Sequence, residues 1–152
     1  MSTAGRSTRR LVGKLLISAV AIAGPAGAIA ADWNETHVFN PNWPPHAKFH
    51  NGQTIALGFE LAAVSLWQLW GPGKRSRSAV RWATLFAGFY SATQVPAILF
   101  PGAEFTDPEF ADRLPVVAGV QLNQLMPVFA VVAPLLAVGY RLAMPDGTPE
   151  AN

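Results

Sequence analysis

Two histidines, an amide and an acid between positions 46 and 60 have the residue types and the spacing to do chemistry. His46 and His50 are four residues apart, and Gln53 and Glu60 follow three and ten residues after His50. In a helix these residues share one face, because one turn takes 3.6 residues. Imidazole and carboxyl groups transfer protons, and an amide can orient a ligand. The pattern predicts a polar stripe that binds a molecule and can exchange a proton with it.

The same histidines raise the question of a metal site. An i, i+4 pair can hold a transition metal through its ring nitrogens, with His37, Asp32 or Glu35 completing the ligand shell. The spacing lacks the glutamate of the metalloprotease helix motif and a defined third ligand. The alternative is that His46 and His50 form hydrogen bonds with the preceding loop. Apart from this metal hypothesis, the sequence predicts no cofactor.

Several other kinds of chemistry are excluded by composition. The chain has no cysteine, which rules out disulfides, thiolate metal ligands and cysteine nucleophiles. It also lacks a phosphate-binding glycine loop, a dinucleotide fingerprint and a nucleophile elbow. A net charge of +2 gives no indication of nucleic acid binding. Proton transfer by a histidine or Glu60 is the chemistry that remains, and whether the protein is an enzyme stays open.

The elements that must position these residues are long apolar stretches. Only 13% of the residues are charged, against about 25% in soluble domains. A helix that crosses the hydrocarbon core of a membrane needs about 20 apolar residues. The sequence predicts an all-α integral membrane four-helix bundle within residues 11–143, between a basic tail and a C-terminal tail (1–10 and 144–152). The expected spans are 11–31, 47–70, 79–100 and 114–142.

Charge predicts the orientation of these spans. Basic residues cluster before the first span and between the second and third, whereas acids cluster at 32–35 and 104–112. Basic loops stay in the cytoplasm. We therefore expect a multi-pass cell-membrane (inner-membrane) protein with cytoplasmic N- and C-termini and non-cytoplasmic loops at 32–46 and 101–113. Alternatively, the first stretch is a secretory signal cleaved near the small residues before Asp32.

The position of polar residues within the expected membrane spans predicts which way their side chains face. A carboxyl or amide that faces lipid is costly, so Glu60 on the second span should face the bundle interior. Gln94 on the third span and Gln121 on the fourth are expected partners across that interior. Such amides also serve as interhelical hydrogen-bond partners without any other function.

One segment carries a resemblance to a family. Residues Ala31 to Asn51 read ADWNETHVFNPNWPPHAKFHN, and this string resembles a family of small four-helix bacterial and fungal membrane proteins of uncharacterised activity. The resemblance implies the four-helix architecture and the loop, but no mechanism. In size the chain is also similar to the sterol-isomerase and sigma-2-receptor group, from which no residue roles carry over.

These observations lead to one functional hypothesis with two rivals. We expect a pocket inside the bundle, open to the non-cytoplasmic side, that binds a small lipophilic ligand and could convert it by acid–base chemistry. The rivals are an ion or proton transporter in which Glu60 is the relay, and a non-catalytic subunit of a membrane assembly. The expected partners are membrane lipid and a small lipophilic molecule, with no nucleic acid and the oligomeric state open. The expected ligand-binding residues are Glu60, Gln53, His46, His50, Gln94 and Gln121.

Overall fold

The computed structural model describes residues 2–74 and 76–145, and this part of the chain is mostly helical, with five α-helices. Three long helices come first: α1 (Thr3–Asp32), α2 (Pro45–Trp70) and α3 (Arg77–Ala97). A 3-10 helix (Pro108–Arg113) and a hairpin of two short antiparallel strands, β1 (Val116–Val117) and β2 (Val120–Gln121), follow. The C-terminal helix then runs through α4 (Leu125–Pro127), a π-helical turn (Val128–Val132) and α5 (Ala133–Ala143).

Local sequence explains where the long helices begin. The side chains of Ser2 and Ser76 accept hydrogen bonds from backbone N–H groups of the first turns of α1 and α3, at 3.2 and 3.1 Å. These bonds satisfy donors that have no partner within the helix. Helix α2 instead begins at Pro45, where the missing N–H costs nothing. Helices α2 and α3 coincide closely with the apolar stretches 47–70 and 79–100, whereas α1 begins eight residues before the stretch 11–31, within the expected basic tail.

Helix α1 lies at the centre and packs against α2, α3 and α5, while α2 also packs along α3. Small residues allow the closest approach. A Cβ atom added to Gly13 of α1 would lie 2.7 Å from the carbonyl oxygen of Gly139 in α5, so the two backbones are in contact. Around this contact lies a core that includes Ile17, Ala21 and Leu69.

The expected fourth span, 114–142, is only partly helical. The C-terminal helix begins at Leu125, and the residues before it form the β1–β2 hairpin. Ala118 and Gly119 both have positive φ angles (51° and 79°), the geometry of the tight two-residue hairpin turn. This turn was not predicted because residues 114–124 are mostly apolar.

Within the described residues, two helical stretches are long and apolar enough to cross a membrane, Thr3–Asp32 and Leu125–Ala143. The C-terminal ends of α2 and α5 lie at one end of the molecule, where Lys14 donates to the carbonyl oxygen of Leu69, and Arg9 and Arg77 donate to those of Met144 and Pro145. We call this the basic end. The opposite end carries Glu35, Asp107 and Glu109 and is called the acidic end.

Candidate functional site

The polar stripe of α2 lies on the outer surface of the molecule. His46, His50, Gln53 and Glu60 are all exposed. The buried face of α2 consists instead of Ile55, Gly58, Ala62, Ser65 and Leu69. The expected inward orientation of the stripe is therefore wrong for the single chain, whereas a binding role for its residues stays a prediction.

Close helix packing explains which face of α2 turns inward. A Cβ atom on Gly58 would lie 3.4 Å from the Cα atom of Pro25 in α1, and the Ser65 hydroxyl donates to the Ala83 carbonyl at 2.9 Å. Small side chains let helix backbones approach, and this gain in packing decides the face. The polar side chains of the stripe lie about half a helical turn from these small residues, so they face outwards.

The two histidines of the stripe interact with each other rather than with a third metal ligand. Their Nε2 atoms are 3.0 Å apart, so one ring donates to the other, and His50 Nδ1 lies 3.2 Å from Gln53 Oε1. His37 lies elsewhere, beside Thr36 and Asp32. Among residues 2–74 and 76–145, no three His, Asp or Glu side chains are grouped so that they could hold a metal ion. The structure thus gives the histidine pair no third ligand.

The main cavity lies on another side of the molecule, at the acidic end. It has a volume of about 770 Å³ and is open to the surface. Its walls come from the second half of α1, the second half of α3, the π-helical turn and the loops at the acidic end. From α2 it takes a single lining residue among those described, Asn51.

Small residues on α1 create much of this space. Gly24, Gly27, Ala28 and Ala31 lie on one face of the helix and line the cavity together. A Cβ atom added to Gly27 would meet no other atom within 4 Å. Helix α1 therefore presents a flat wall, and the sequence pattern that produces it is a small-residue repeat beside Pro25.

Two hydrogen-bonded pairs of side chains lie next to each other at the cavity wall near the end of α1. Asp32 accepts a hydrogen bond from Asn51 Nδ2 at 2.8 Å. The same carboxylate lies 3.9 Å from Nε2 of His37, which is too long for a hydrogen bond but within reach of an ion pair. The Thr36 hydroxyl lies 2.6 Å from His37 Nδ1. Asp32, Thr36, His37 and Asn51 all line the cavity.

The hydroxyl of Thr36 couples His37 to Asn34. Asn34 uses its Nδ2 group to donate to the Ala31 carbonyl at 2.7 Å, so its Oδ1 atom is an acceptor. This Oδ1 atom accepts from the Thr36 backbone N–H at 2.8 Å and lies 2.6 Å from the Thr36 hydroxyl. Whichever way the hydroxyl turns, Thr36 holds the His37 ring in place through Nδ1. The Nε2 atom is then directed towards Asp32, and the two groups can exchange a proton through a hydroxyl or water placed between them.

Two buried acceptor atoms in the cavity wall lack partners among the described residues. They are Asn51 Oδ1 and Gln94 Oε1, on α2 and α3. A buried acceptor without a donor costs about 1–3 kcal/mol. Gln94 is the one residue of the predicted ligand-binding set that the structure places in this wall. Gln121, by contrast, lies exposed on β2 and donates to the Ala111 carbonyl at 2.8 Å.

The loops over the cavity are tied together by polar contacts across long sequence distances. Arg113 donates to Glu35 at 2.8 Å, Trp43 Nε1 donates to Asp107 at 3.0 Å, and Asn40 donates to Glu109 at 2.9 Å. A backbone hydrogen bond at Glu35, followed by the bond from Arg113, lowers the pKa of the Glu35 carboxyl below its ordinary value of 4.5. These contacts fix the segment 33–43 against the segment 107–113.

The segment 31–51, which the sequence singled out, contributes part of the cavity wall. Asp32 and His37 were considered as metal ligands, and the structure makes them a pair beside the cavity. Thr36 and Asn51 were not singled out. The signal for Asn51 was its position next to His50, because adjacent helical residues point about 100° apart and Asn51 can therefore face α1 while His50 stays exposed.

Comparison with known proteins places the chain in a family. The sequence pattern of a family of unknown function, DUF6640, matches residues 16–143, and the chain belongs to this family. No curated protein and no solved structure matches the chain. The expectation of a family without assigned activity is confirmed, and the match says nothing about membrane location.

Proposed function

We propose that this member of the DUF6640 family is an integral membrane protein whose cavity at the acidic end binds a small amphipathic molecule. The observation that carries the proposal is the pair of partnerless buried acceptors, Asn51 Oδ1 and Gln94 Oε1, in the wall of an open cavity. A ligand with hydroxyl or amine donors would satisfy both once these amide groups turn towards the cavity, because neither oxygen has accessible surface in the present arrangement. The cavity volume lies within the range of about 300–1,000 Å³ that is usual for small-molecule sites.

Membrane integration is supported by the apolar surface. Only 11% of the most apolar part of Leu125–Ala143 is buried inside the molecule, although this stretch could span a bilayer. In water so large an exposed apolar surface would drive association, whereas acyl chains would cover it. Large exposed side chains on both candidate spans include Leu15, Ile22, Phe129 and Val131.

We further propose that the helices form a four-span bundle with both termini in the cytoplasm. The charges support this because the basic end holds the N-terminal segment of α1, the start of α3 and the end of α5 together. The acidic end holds the loops 33–44 and 101–113. Basic residues remain in the cytoplasm, so the cavity would open on the opposite side.

The ligand should have an apolar body and a polar head. Gly24, Gly27, Ala28 and Val132 offer apolar contacts, whereas Asp32, His37 and Asn51 lie where the cavity meets the loops. The chemistry that this wall can supply is proton transfer between the Asp32–His37 pair and a hydroxyl group of the bound molecule. This pair, rather than Glu60, is the acid–base candidate for a conversion of the ligand.

The two rival functions rest on the stripe of α2. A relay through Glu60 has less support, because Glu60 is exposed and does not line the cavity. A role as subunit of a membrane assembly is favoured by the same exposure, because a partner helix would remove the carboxyl group from lipid. Cross-linking at position 60 in native membranes tests the assembly role, and proton flux in proteoliposomes with and without Glu60→Gln tests the relay.

The test of ligand binding uses two matched glycine variants. Gly27→Leu adds a side chain at the cavity wall, and Gly52→Leu places the same side chain on the exposed face of α2, where a Cβ atom likewise meets nothing within 4 Å. The wild-type protein and Gly52→Leu, purified from native membranes, should carry a bound small molecule in native mass spectrometry. Gly27→Leu should lose it while retaining helical content. Equal occupancy in all three proteins, or none in the wild type, would refute the proposal.

A further inference from the structure

The first turns of α2 present a pair of imidazole rings on the surface, outside the cavity. His46 and His50 are both exposed, and their Nε2 atoms are 3.0 Å apart. Neither residue lines the cavity at the acidic end. The proposed binding of an amphipathic molecule therefore makes no use of these rings, although imidazole nitrogens are common metal ligands.

The distance between the two Nε2 atoms fits a particular coordination geometry. Imidazole nitrogens bind metal ions at about 2.0–2.1 Å, so two such bonds at a right angle separate the nitrogens by about 2.8–3.0 Å. A tetrahedral angle would separate them by about 3.3–3.4 Å at the same bond length. The observed 3.0 Å matches two neighbouring positions around a square-planar or octahedral ion. Square-planar coordination by nitrogen and oxygen is typical of copper(II) and nickel(II).

The orientation of the two rings also suits a common ion. The ring centroids are 4.5 Å apart, which is too close for two imidazoles that face each other end to end across a 3.0 Å contact. The contact is therefore bent, as it is when two nitrogens face one ion. Phe49 lies beside both rings, with centroid distances of 6.1 Å to His46 and 5.4 Å to His50, and limits their rotation.

Gln53 determines which nitrogen of His50 carries a proton. The Oε1 atom of Gln53 lies 3.2 Å from Nδ1 of His50 and can only accept, so Nδ1 is the donor and Nε2 presents a lone pair. His46 then donates to this lone pair through its own Nε2 atom. When an ion takes the place of that proton, the proton moves to Nδ1 of His46, and both rings stay neutral.

The helical turn that carries the pair is fixed on both sides. Helix α2 begins at Pro45, directly before His46. Asn51, directly after His50, donates to the Asp32 carboxylate at the end of α1 at 2.8 Å. The backbone between the two histidines is thus in place before an ion binds, which lowers the entropy cost of forming the second bond.

The small number of protein ligands determines what kind of site this is. In the part of the chain that the structure describes, no further His, Asp or Glu joins the two rings to make a group of three. Water or a ligand from outside must fill the remaining positions, so the ion stays accessible and exchangeable. The positive N-terminal end of α2 opposes any cation. Both conditions favour copper(II), which has the highest affinity for such ligands among the divalent first-row ions.

We propose that His46 and His50 form an exposed, exchangeable site for copper(II), which binds both Nε2 atoms in neighbouring coordination positions. His37, which the sequence suggested as a further ligand, lies elsewhere, beside Thr36 and Asp32. The site therefore consists of the pair alone. It depends neither on the cavity nor on membrane location, so its failure would leave the proposed function untouched.

The test uses a copper complex that binds only where two neighbouring ligands are available. The probe is copper(II) nitrilotriacetate, whose chelator leaves two adjacent coordination positions open. It is titrated into the full-length chain, without a histidine tag, in detergent. Calorimetry measures the affinity, pulsed EPR counts the imidazoles bound to copper, and circular dichroism checks the helical content of each variant.

The variants separate the position of the histidines from their number. His46→Asn and His50→Asn each remove one ring of the pair, whereas His37→Asn removes the third histidine of the chain. A double variant, His46→Asn with Lys48→His, restores the number of histidines. Its new ring lies about 160° around α2 from His50, because adjacent helical residues are about 100° apart.

We expect one copper complex per chain in the wild type and in His37→Asn, with two imidazoles in the EPR spectrum. The affinity should fall by about tenfold or more in His46→Asn and His50→Asn, because the second nitrogen binds at the high effective concentration that the first one creates. The double variant should not recover it. No binding by the wild type, a single imidazole in its spectrum, or an equal loss in His37→Asn would overturn the proposal. Recovery in the double variant would overturn it as well.

Discussion

Gly13 and Gly139 bring the backbones of α1 and α5 into direct contact, and a side chain on Gly13 would meet the Gly139 carbonyl oxygen at 2.7 Å. The contact fixes the C-terminal helix against the central helix of the fold. The wall formed by the π-helical turn therefore depends on it, although Gly13 is far from the cavity.

Gly13→Ala should destabilise the protein by about 1–3 kcal/mol or more, because the added methyl group meets backbone atoms that cannot move aside. The control is Gly52→Ala on the exposed face of α2, which should be neutral or stabilising by about 0.5–1 kcal/mol. Thermal melting in detergent checks both. A Gly13→Ala protein as stable as the wild type would show that α1 and α5 pack less closely.

Gln94→Leu should weaken retention of the cavity ligand by about 2- to 10-fold, the usual effect of losing one hydrogen bond. Stability without ligand should not fall, because the variant removes a buried acceptor that lacks a partner among the described residues. The measurements are native mass spectrometry and melting after ligand removal. Glu60→Gln, outside the cavity, should retain ligand as the wild type does; a loss there and not in Gln94→Leu would place the site on the α2 stripe.

Thr36→Val should release the His37 ring while keeping the shape of the side chain. The Thr36 hydroxyl lies 2.6 Å from Nδ1, so its removal should change the proportion of the two ring tautomers. Nitrogen NMR of labelled His37 measures that proportion. Thr54→Val is the control, because the Thr54 hydroxyl donates to the His50 carbonyl on α2. An unchanged His37 spectrum in Thr36→Val would remove the basis for an oriented acid–base pair.

Acid should loosen the loops over the cavity through Glu35. A backbone hydrogen bond, followed by the hydrogen bond from Arg113, lowers the pKa of this carboxyl in the folded protein, so its ionised form contributes stability above the ordinary value of 4.5. That contribution should disappear as the pH falls below 4.5 and through the folded pKa. Because Glu35 is exposed, the effect should be small.

Melting curves between neutral pH and pH 3 check this prediction. The difference in melting temperature between the wild type and Glu35→Gln should become smaller at acid pH. The difference between the wild type and Glu104→Gln, a variant at the same end of the molecule, should not change with pH in this way. A wild-type advantage that persists at the lowest pH would show that the ionised pair with Arg113 contributes nothing.

The positions of α1, α2 and α3 followed from apolar stretches because their length and flanking charges leave few alternatives. The face of α2 that packs against the other helices was not predicted correctly. Its polar side chains suggested an interior stripe, but Gly58, Ala62 and Ser65 allow the closer packing and turn inward. Small-residue spacing was the better predictor of the interface in this helix.

The sequence pointed to the segment that contributes to the candidate site, but not to the contacts between its side chains. The string 31–51 contains Asp32, Thr36, His37 and Asn51, yet their contacts depend on a loop that folds back on the end of α1. Gln94 was identified because a lone amide near the end of an apolar helix stands out. The hairpin at 116–121 was missed because its valines resemble those of a membrane span.

The π-helical turn Val128–Val132 has a consequence for how the cavity can change shape. Such a turn holds one residue more than α-helical geometry needs, and both of its terminal valines line the cavity. Deleting one residue there would restore a regular helix and rotate everything on its N-terminal side by about 100°. Pro127 and Gln124 would swing out of the wall while α5 kept its place against α1. A change of chain length in this turn would therefore leave the packing of α5 against α1 in place.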